Sequence, residues 1–236
     1  MNPTNFLKTV FTVSCFCFPP SSLADKPKNN AHRLPEVACR YETTVTPLNK
    51  SKAPSKHTWF FWRTPEMIQT LDADGDYGEI WQRTVTGSIQ YRKLYPSDKT
   101  AVEYMPADNP TNNLSFEWGK LSNMLSQQEL EALKPVKNLQ VMGRNAQLRK
   151  GKIDGQTVAV QWLTNENLPA SIIKKNSAGT MELRLVAIQP LVTANRKPIA
   201  IEAIANYRHI DAIDFGDMEN DPFVKKVLAA EGGHHH

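Results

Sequence analysis

Apolar and polar residues alternate along most of the chain, which marks strands half-buried in an antiparallel sheet. The alternation predicts strands at 39–46 (CRYETTVT), 57–63 (HTWFFWR), 66–71, 79–85, 88–95 and 100–105. Turn residues such as Thr86-Gly87 and Pro96-Ser97-Asp98 end them. Six such segments at hairpin spacing predict a meander. The period then becomes helical, with Leu114, Trp118, Leu121 and Leu125 on one stripe. Ser126 and Glu129 have the spacing of a capping box and predict a second short helix that stops before Pro135. Strands resume at 139–148, 157–163, 169–176, 181–188 and 201–210, with turns at Asp154-Gly155 and Ser177-Ala178-Gly179. Asp221 before Pro222 is the expected cap of a last helix, ended by Gly232. The order implies an α+β fold: one large curved antiparallel sheet of about eleven strands with helices packed across it.

The N-terminus adds a compartment. Lys8 is the only charge before residue 25, and VFTVSCFCF is followed by PPSSLAD, with Ser22 and Ala24 placed for cleavage before Asp25. This is the pattern of a secretory signal peptide over 1–24, too short in its apolar part to span a membrane. A lipoprotein signal ending at Cys15 is disfavoured by Thr12 and by the short apolar run before it. Residues 25–33 read as a polar disordered lead-in, 34–230 as one domain, and 231–236 as a flexible tail. The tail's His234, His235 and His236 could bind a soft metal loosely or be a purification remnant. The expected location is the periplasm of a Gram-negative-type envelope. Cys39 is the one cysteine of the mature chain, so no internal disulfide can form; it reads as a packed strand residue. A net charge of +4 singles out neither nucleic acid nor a polybasic membrane anchor.

Two stretches invite sharper chemistry. In LDADGDYGEIW, Asp72, Asp74 and Asp76 alternate as in a calcium loop. Counted from Asp72, however, the sixth position is Tyr77 and the twelfth is Arg83, where such a loop needs Gly and Glu. A hairpin loop is the better reading, and no metal is assigned. In HTWFFWR, Trp59, Phe61 and Arg63 share one face of a strand and Phe60 and Trp62 the other. Aromatics on both faces mean either a central strand covered on both sides or a strand with one face lining a cavity. Arg63 or Arg40 is expected at the rim, within reach of water or of a ligand's acidic group. The acidic run Asp211, Asp214, Asp217, Glu219 and Asp221 reads as a solvated segment, and the DFG at 214–216 as chance. No nucleophile elbow, phosphate loop or HExxH is present, so no catalytic residue and no cofactor is assigned.

The segment GKIDGQTVAVQWLTNENLPASIIKKNSAGTMELRLVAI resembles the periplasmic lipoprotein-carrier superfamily, LolA/LolB-like, as does the order of elements. The residues carrying the resemblance are Trp162-Leu163, the turn Asn165–Asn167, Leu168-Pro169 and the hairpin at Gly179. It implies an unclosed half-barrel with helices as a lid on the concave side, holding an acyl chain or another apolar ligand. The same fold serves in sensors of envelope stress. The implied binding residues are Trp59, Phe61, Arg63, Ile89, Tyr91, Val160, Trp162 and Leu183. The expected partner is an apolar or lipid-like ligand or a lipoprotein acyl chain. The alternative is a periplasmic sensor or interaction module that docks a protein and carries no cargo.

Overall fold

The computed structural model describes residues 34–104 and 117–232. The expected signal peptide and lead-in, Leu114 and the terminal histidines lie outside them. The described chain forms a twelve-stranded sheet. The first six strands are β1 (Val37–Pro47), β2 (Ser55–Arg63), β3 (Met67–Asp72), β4 (Gly78–Arg83), β5 (Ile89–Tyr95) and β6 (Thr100–Tyr104). Two short helices follow, α1 (Trp118–Asn123) and α2 (Gln127–Ala132). Then come β7 (Leu133–Val141), β8 (Arg144–Ile153), β9 (Gln156–Leu163), β10 (Leu168–Asn176) and β11 (Gly179–Pro190). The chain ends with α3 (Ile201–Ile204), β12 (Arg208–Asp211) and α4 (Pro222–Gly232).

The spatial order is β12-β6-β5-β4-β3-β2-β1-β11-β10-β9-β8-β7. Two antiparallel meanders are joined by the β1–β11 pair, and only β12 runs parallel to its neighbour, β6. The sheet is open, with β12 and β7 as its edges. The α+β class, the six-strand meander, the helical insertion and the capping box of Ser126 with Glu129 are all present as expected.

Two strand expectations are corrected. The stretch 139–148 is not one strand but parts of β7 and β8 around a tight turn, with Met142 at φ 54° and Gly143 at φ 73°. A methionine in the left-handed region is uncommon, so the turn has no Asn-Gly signature. The stretch 201–210 is not one long strand. Ile201, Ile204 and Tyr207 recur at helical spacing and pack on the sheet as one cluster, leaving only the short β12 after them. The first shift raises the count from eleven to twelve, and the second only shortens the last strand.

The acidic loop is a hairpin joining β3 and β4, turned by Gly75 at φ 86°. Its carboxylates are engaged by protein groups. Asp72 meets His57 Nε2 at 3.0 Å, Asp74 accepts from the Asp76 amide at 3.0 Å, and Asp76 accepts from the Ser97 hydroxyl. The C-terminal acids are less idle than expected. Asp211 caps the turn at Ala212–Asp217. Asp221 accepts from the amides of Phe223 and Val224 at the start of α4 and pairs with Arg208 at 2.7 Å.

Each face of the sheet has its own cover. On one face, α1, α2 and the turn between them add Trp118, Leu121, Leu125 and Leu130 to a cluster built from β1, β2, β3 and β7–β11. At the β12 end of that face, α4 adds Phe223, Val224 and Val227 over Val102 and Ile210. The opposite face of β3–β6 is covered by residues 199–207, where Ile204 is buried with Ile80, Leu94 and Ala101.

Candidate functional site

Register carries the helix-covered face from strand to strand, because residues directly opposite in a ladder share a face. Arg63 lies opposite Ile68, Ile68 opposite Trp81, Trp81 opposite Tyr91, and Tyr91 opposite Tyr104. In the other direction Phe61 lies opposite Cys39 and Cys39 opposite Ile188. Leu183 lies opposite Ile172, and Ile172 opposite Val160. Alternation adds Trp59, Ile89 and Trp162 to the same side. All eight residues singled out from the sequence therefore sit on this one face.

They do not form one group. Phe61, Val160, Trp162 and Leu183 are buried in a single cluster, with Trp59 packed against it. Trp59 stacks on Tyr41 at 5.1 Å between ring centroids, and its indole N–H donates to Thr43 Oγ1 at 3.1 Å. Tyr91 belongs to a separate ladder, stacked between Trp81 at 5.3 Å and Tyr104 at 4.9 Å. Its hydroxyl donates to Glu79 Oε1 at 2.5 Å, and Tyr77 donates to the same oxygen at 2.9 Å. Burial, then the nearby Glu79 carboxylate, pushes both phenols far above their ordinary range. They stay protonated donors at any physiological pH. Ile89 is half-buried at the end of β5 and joins none of the described core clusters.

Arg63 departs most from its sequence reading. It is 2% exposed and does not reach water at a rim. Its Nη1 donates to Ser122 O at 2.8 Å and to Asn123 Oδ1 at 3.3 Å. Its Nη2 donates to Glu166 O at 2.6 Å and to Pro35 O at 3.2 Å. One guanidinium thus ties the end of α1, the β9–β10 turn and the segment leading into β1 to the sheet. The last carbonyls of a helix have no partner within it, and a cation can take them over. Arg149 does the same for α2, donating to Leu130 O at 2.6 Å. Sequence spacing does not reveal this role, because the acceptors are backbone oxygens far along the chain. Arg40, the other rim candidate, is exposed on the opposite face.

Around Arg63 the interior is polar but closed. Glu166, 6% exposed, pairs with Arg144 at 2.5 Å. Burial pushes the Cys39 thiol up to about 12, outweighing the lowering by Arg63. A thiol so placed is not a nucleophile at neutral pH, which agrees with the reading of Cys39 as a packed strand residue. On the same face, a cavity of about 140 Å³ lies between β5–β6 and the C-terminal segment, lined by Lys93, Tyr95, Tyr104, Phe215 and Val227 among others.

The other side of β2 answers the question raised by its aromatics. Phe60 and Trp62 stack at 5.7 Å. The Arg196 guanidinium lies 4.1 Å from the Phe60 ring centroid, and Trp62 Nε1 donates to Arg196 O at 2.9 Å. Gln69 Oε1 accepts from the Ile199 amide at 2.7 Å. The strap 191–207 therefore covers this face, and β2 is a central strand enclosed on both sides.

No family model matches the chain, and no curated protein sequence matches it. Solved structures do match in overall course. PNGF-II matches at 9% identity with a TM-score of 0.43, over 78% of this chain and 33% of that one. A chain of the Pseudomonas aeruginosa MucA/MucB complex matches at 13% identity and 0.36, over 72% of this chain and 56% of that one. A LolA superfamily protein from Nitrosomonas europaea matches at 9% and 0.34, over 72% and 90%. The chain thus spans about a third of the length of PNGF-II and little more than half of the MucA/MucB chain.

Proposed function

We propose that this chain is an exported binding protein that holds an apolar or lipid-like group against the helix-covered face of its sheet. The α1–α2 insertion is the cover and Arg63 the latch. One observation carries the reading: a fully buried cation engages oxygens of three separate segments over an aromatic and aliphatic face. Four of the residues below it, Phe61, Val160, Trp162 and Leu183, offer the apolar lining that such ligands need. A guanidinium bonded to carbonyls can be released into water and regain its hydration there. The closed and open states of such a cover then differ by a modest free energy, as a carrier requires. No helix of the described residues is long and apolar enough to cross a membrane, and the sequence of residues 1–24 supports export.

The test is lipid extraction and native mass spectrometry of the purified chain, with titration of a fluorescent acyl probe. The reading expects a bound apolar species, or quenching of tryptophan fluorescence by the probe. Phe61→Ala should weaken probe binding while the fold survives. A chain that is always empty and never quenched overturns it. In that case the interaction module without cargo is the better account.

A further inference from the structure

The face of β7–β10 turned away from the helices carries an unusual concentration of one charge. Between Leu133 and Asn176 there are eight basic residues and two acidic ones, and one of the acids, Glu166, is paired with Arg144. Five of the basic residues project from this single face. Arg149 lies opposite Val160 on the helix-covered side. Alternation therefore puts Lys150 and Lys152 on the other side. Lys134 lies directly opposite Lys150, and Lys137 opposite Leu148, which shares their face. Lys152 and Lys175 both lie opposite Thr157, from either side of β9.

All five lysines are exposed, and none takes part in an ion pair among the described residues. Lysines elsewhere do find partners: Lys56 with Glu42, Lys120 with Glu129 and Lys226 with Asp98. The carboxylates nearest in register are Asp154 in the β8–β9 turn and the exposed Glu182 on β11, and neither pairs with the five. Like charges directly opposite in a ladder are unfavourable, so Lys134 facing Lys150 costs the free chain stability. Half-buried Leu148, Ala159 and Ile173 lie between the lysines, and no described helix packs over them.

We infer that this face docks on an anionic phospholipid surface. The chemistry of the patch selects that partner. It holds ammonium groups and none of the guanidinium forks that read a carboxylate or phosphate bidentately. It has no aromatic ring on which a nucleobase could stack. Flexible lysines on three strands, β7, β8 and β10, match a diffuse, laterally mobile sheet of negative headgroups. The patch lies on the opposite side of the sheet from the α1–α2 cover, so docking leaves the cover free to move.

The experiment is co-sedimentation of the purified chain with phosphatidylcholine vesicles, with and without phosphatidylglycerol, at low and high salt. The inference expects binding only when phosphatidylglycerol is present, lost at high salt as the Debye length shortens and the lysines are screened from the headgroup charge. Lys150→Gln with Lys152→Gln should weaken that binding about thirty-fold. Lys56→Gln with Lys120→Gln, at lysines already in ion pairs, should leave it unchanged. Equal binding to neutral vesicles overturns the inference, as does binding indifferent to salt or to the paired substitution. So does lysine-dependent retention on polyglutamate without vesicle binding, which would assign the face to an acidic protein. Cargo occupancy is read without vesicles, so the two proposals fail separately.

Discussion

The two meanders of the sheet share a fold and differ in what covers them. In β2–β6 both faces are packed, one against the helices and the other against the strap 191–207. In β7–β10 the helix side is packed and the other carries exposed lysines. A strand covered twice loses the alternation of polar and apolar residues, and FFW at 60–62 is the result. A strand covered once keeps it, as in Val158, Val160 and Trp162 with Thr157, Ala159 and Gln161 between them. The covered meander also holds the buried polar anchors, Gln69 and Arg63. The difference separates a half that fixes the fold from a half that leaves one face available.

The largest effect that would break this comparison is at Trp62. It is 1% exposed under the strap, on the side opposite the candidate ligand face. Trp62→Ala should cost about 3–5 kcal/mol in denaturant unfolding, because it leaves a cavity no ligand fills and frees the Arg196 carbonyl. Acyl-probe binding by the protein that remains folded should be unchanged. A loss under about 1 kcal/mol would mean that the strap does not seal this face in solution.

A smaller effect isolates the strap. Gln69 is fully buried between β2 and β4, and its side chain accepts the Ile199 amide. Gln69→Leu keeps much of the volume but leaves that amide unpaired. The expected cost is below the about 1–3 kcal/mol of one unsatisfied buried donor, because Leu also removes Gln69 Nε2, itself buried without a partner. Faster hydrogen exchange should appear at residues 196–204 before it appears in β7–β10. Exchange that rises evenly over the sheet would show the strap to be part of one cooperative unit.

Much of this was legible in the sequence, and the gaps have physical reasons. The first six strands, the capping box and the shared face of Trp59, Phe61 and Arg63 follow from period and turn chemistry alone, whereas the register that carries that face across the sheet does not. Strand β7 is only half visible in the sequence because an exposed edge strand carries Lys134, Pro135 and Lys137 instead of alternating apolar residues. Such residues protect an edge and erase its signal. Sequence points Arg63 to a rim because charge at a strand end usually meets water. Only the fold brings Ser122 O and Glu166 O to it. Residues 201–210 read as a strand because Ile201 and Ile204 are β-branched, while their spacing of three is what packing uses.

The smallest effect lies in the half covered once, and its sign carries the information. Lys150 faces Lys134 across the β7–β8 ladder, with both side chains exposed. If the free protein gains nothing from these charges, Lys150→Gln removes a repulsion and breaks no contact. Stability should then rise by a few tenths of a kcal/mol at low salt, and the gain should shrink as salt screens the pair. Differential scanning calorimetry at two ionic strengths reads both parts. A loss of stability instead would mean that Lys150 already has a partner on the chain itself. The uncovered face would then be a completed surface, like the strapped one, and the contrast between the two meanders would be one of residue type alone.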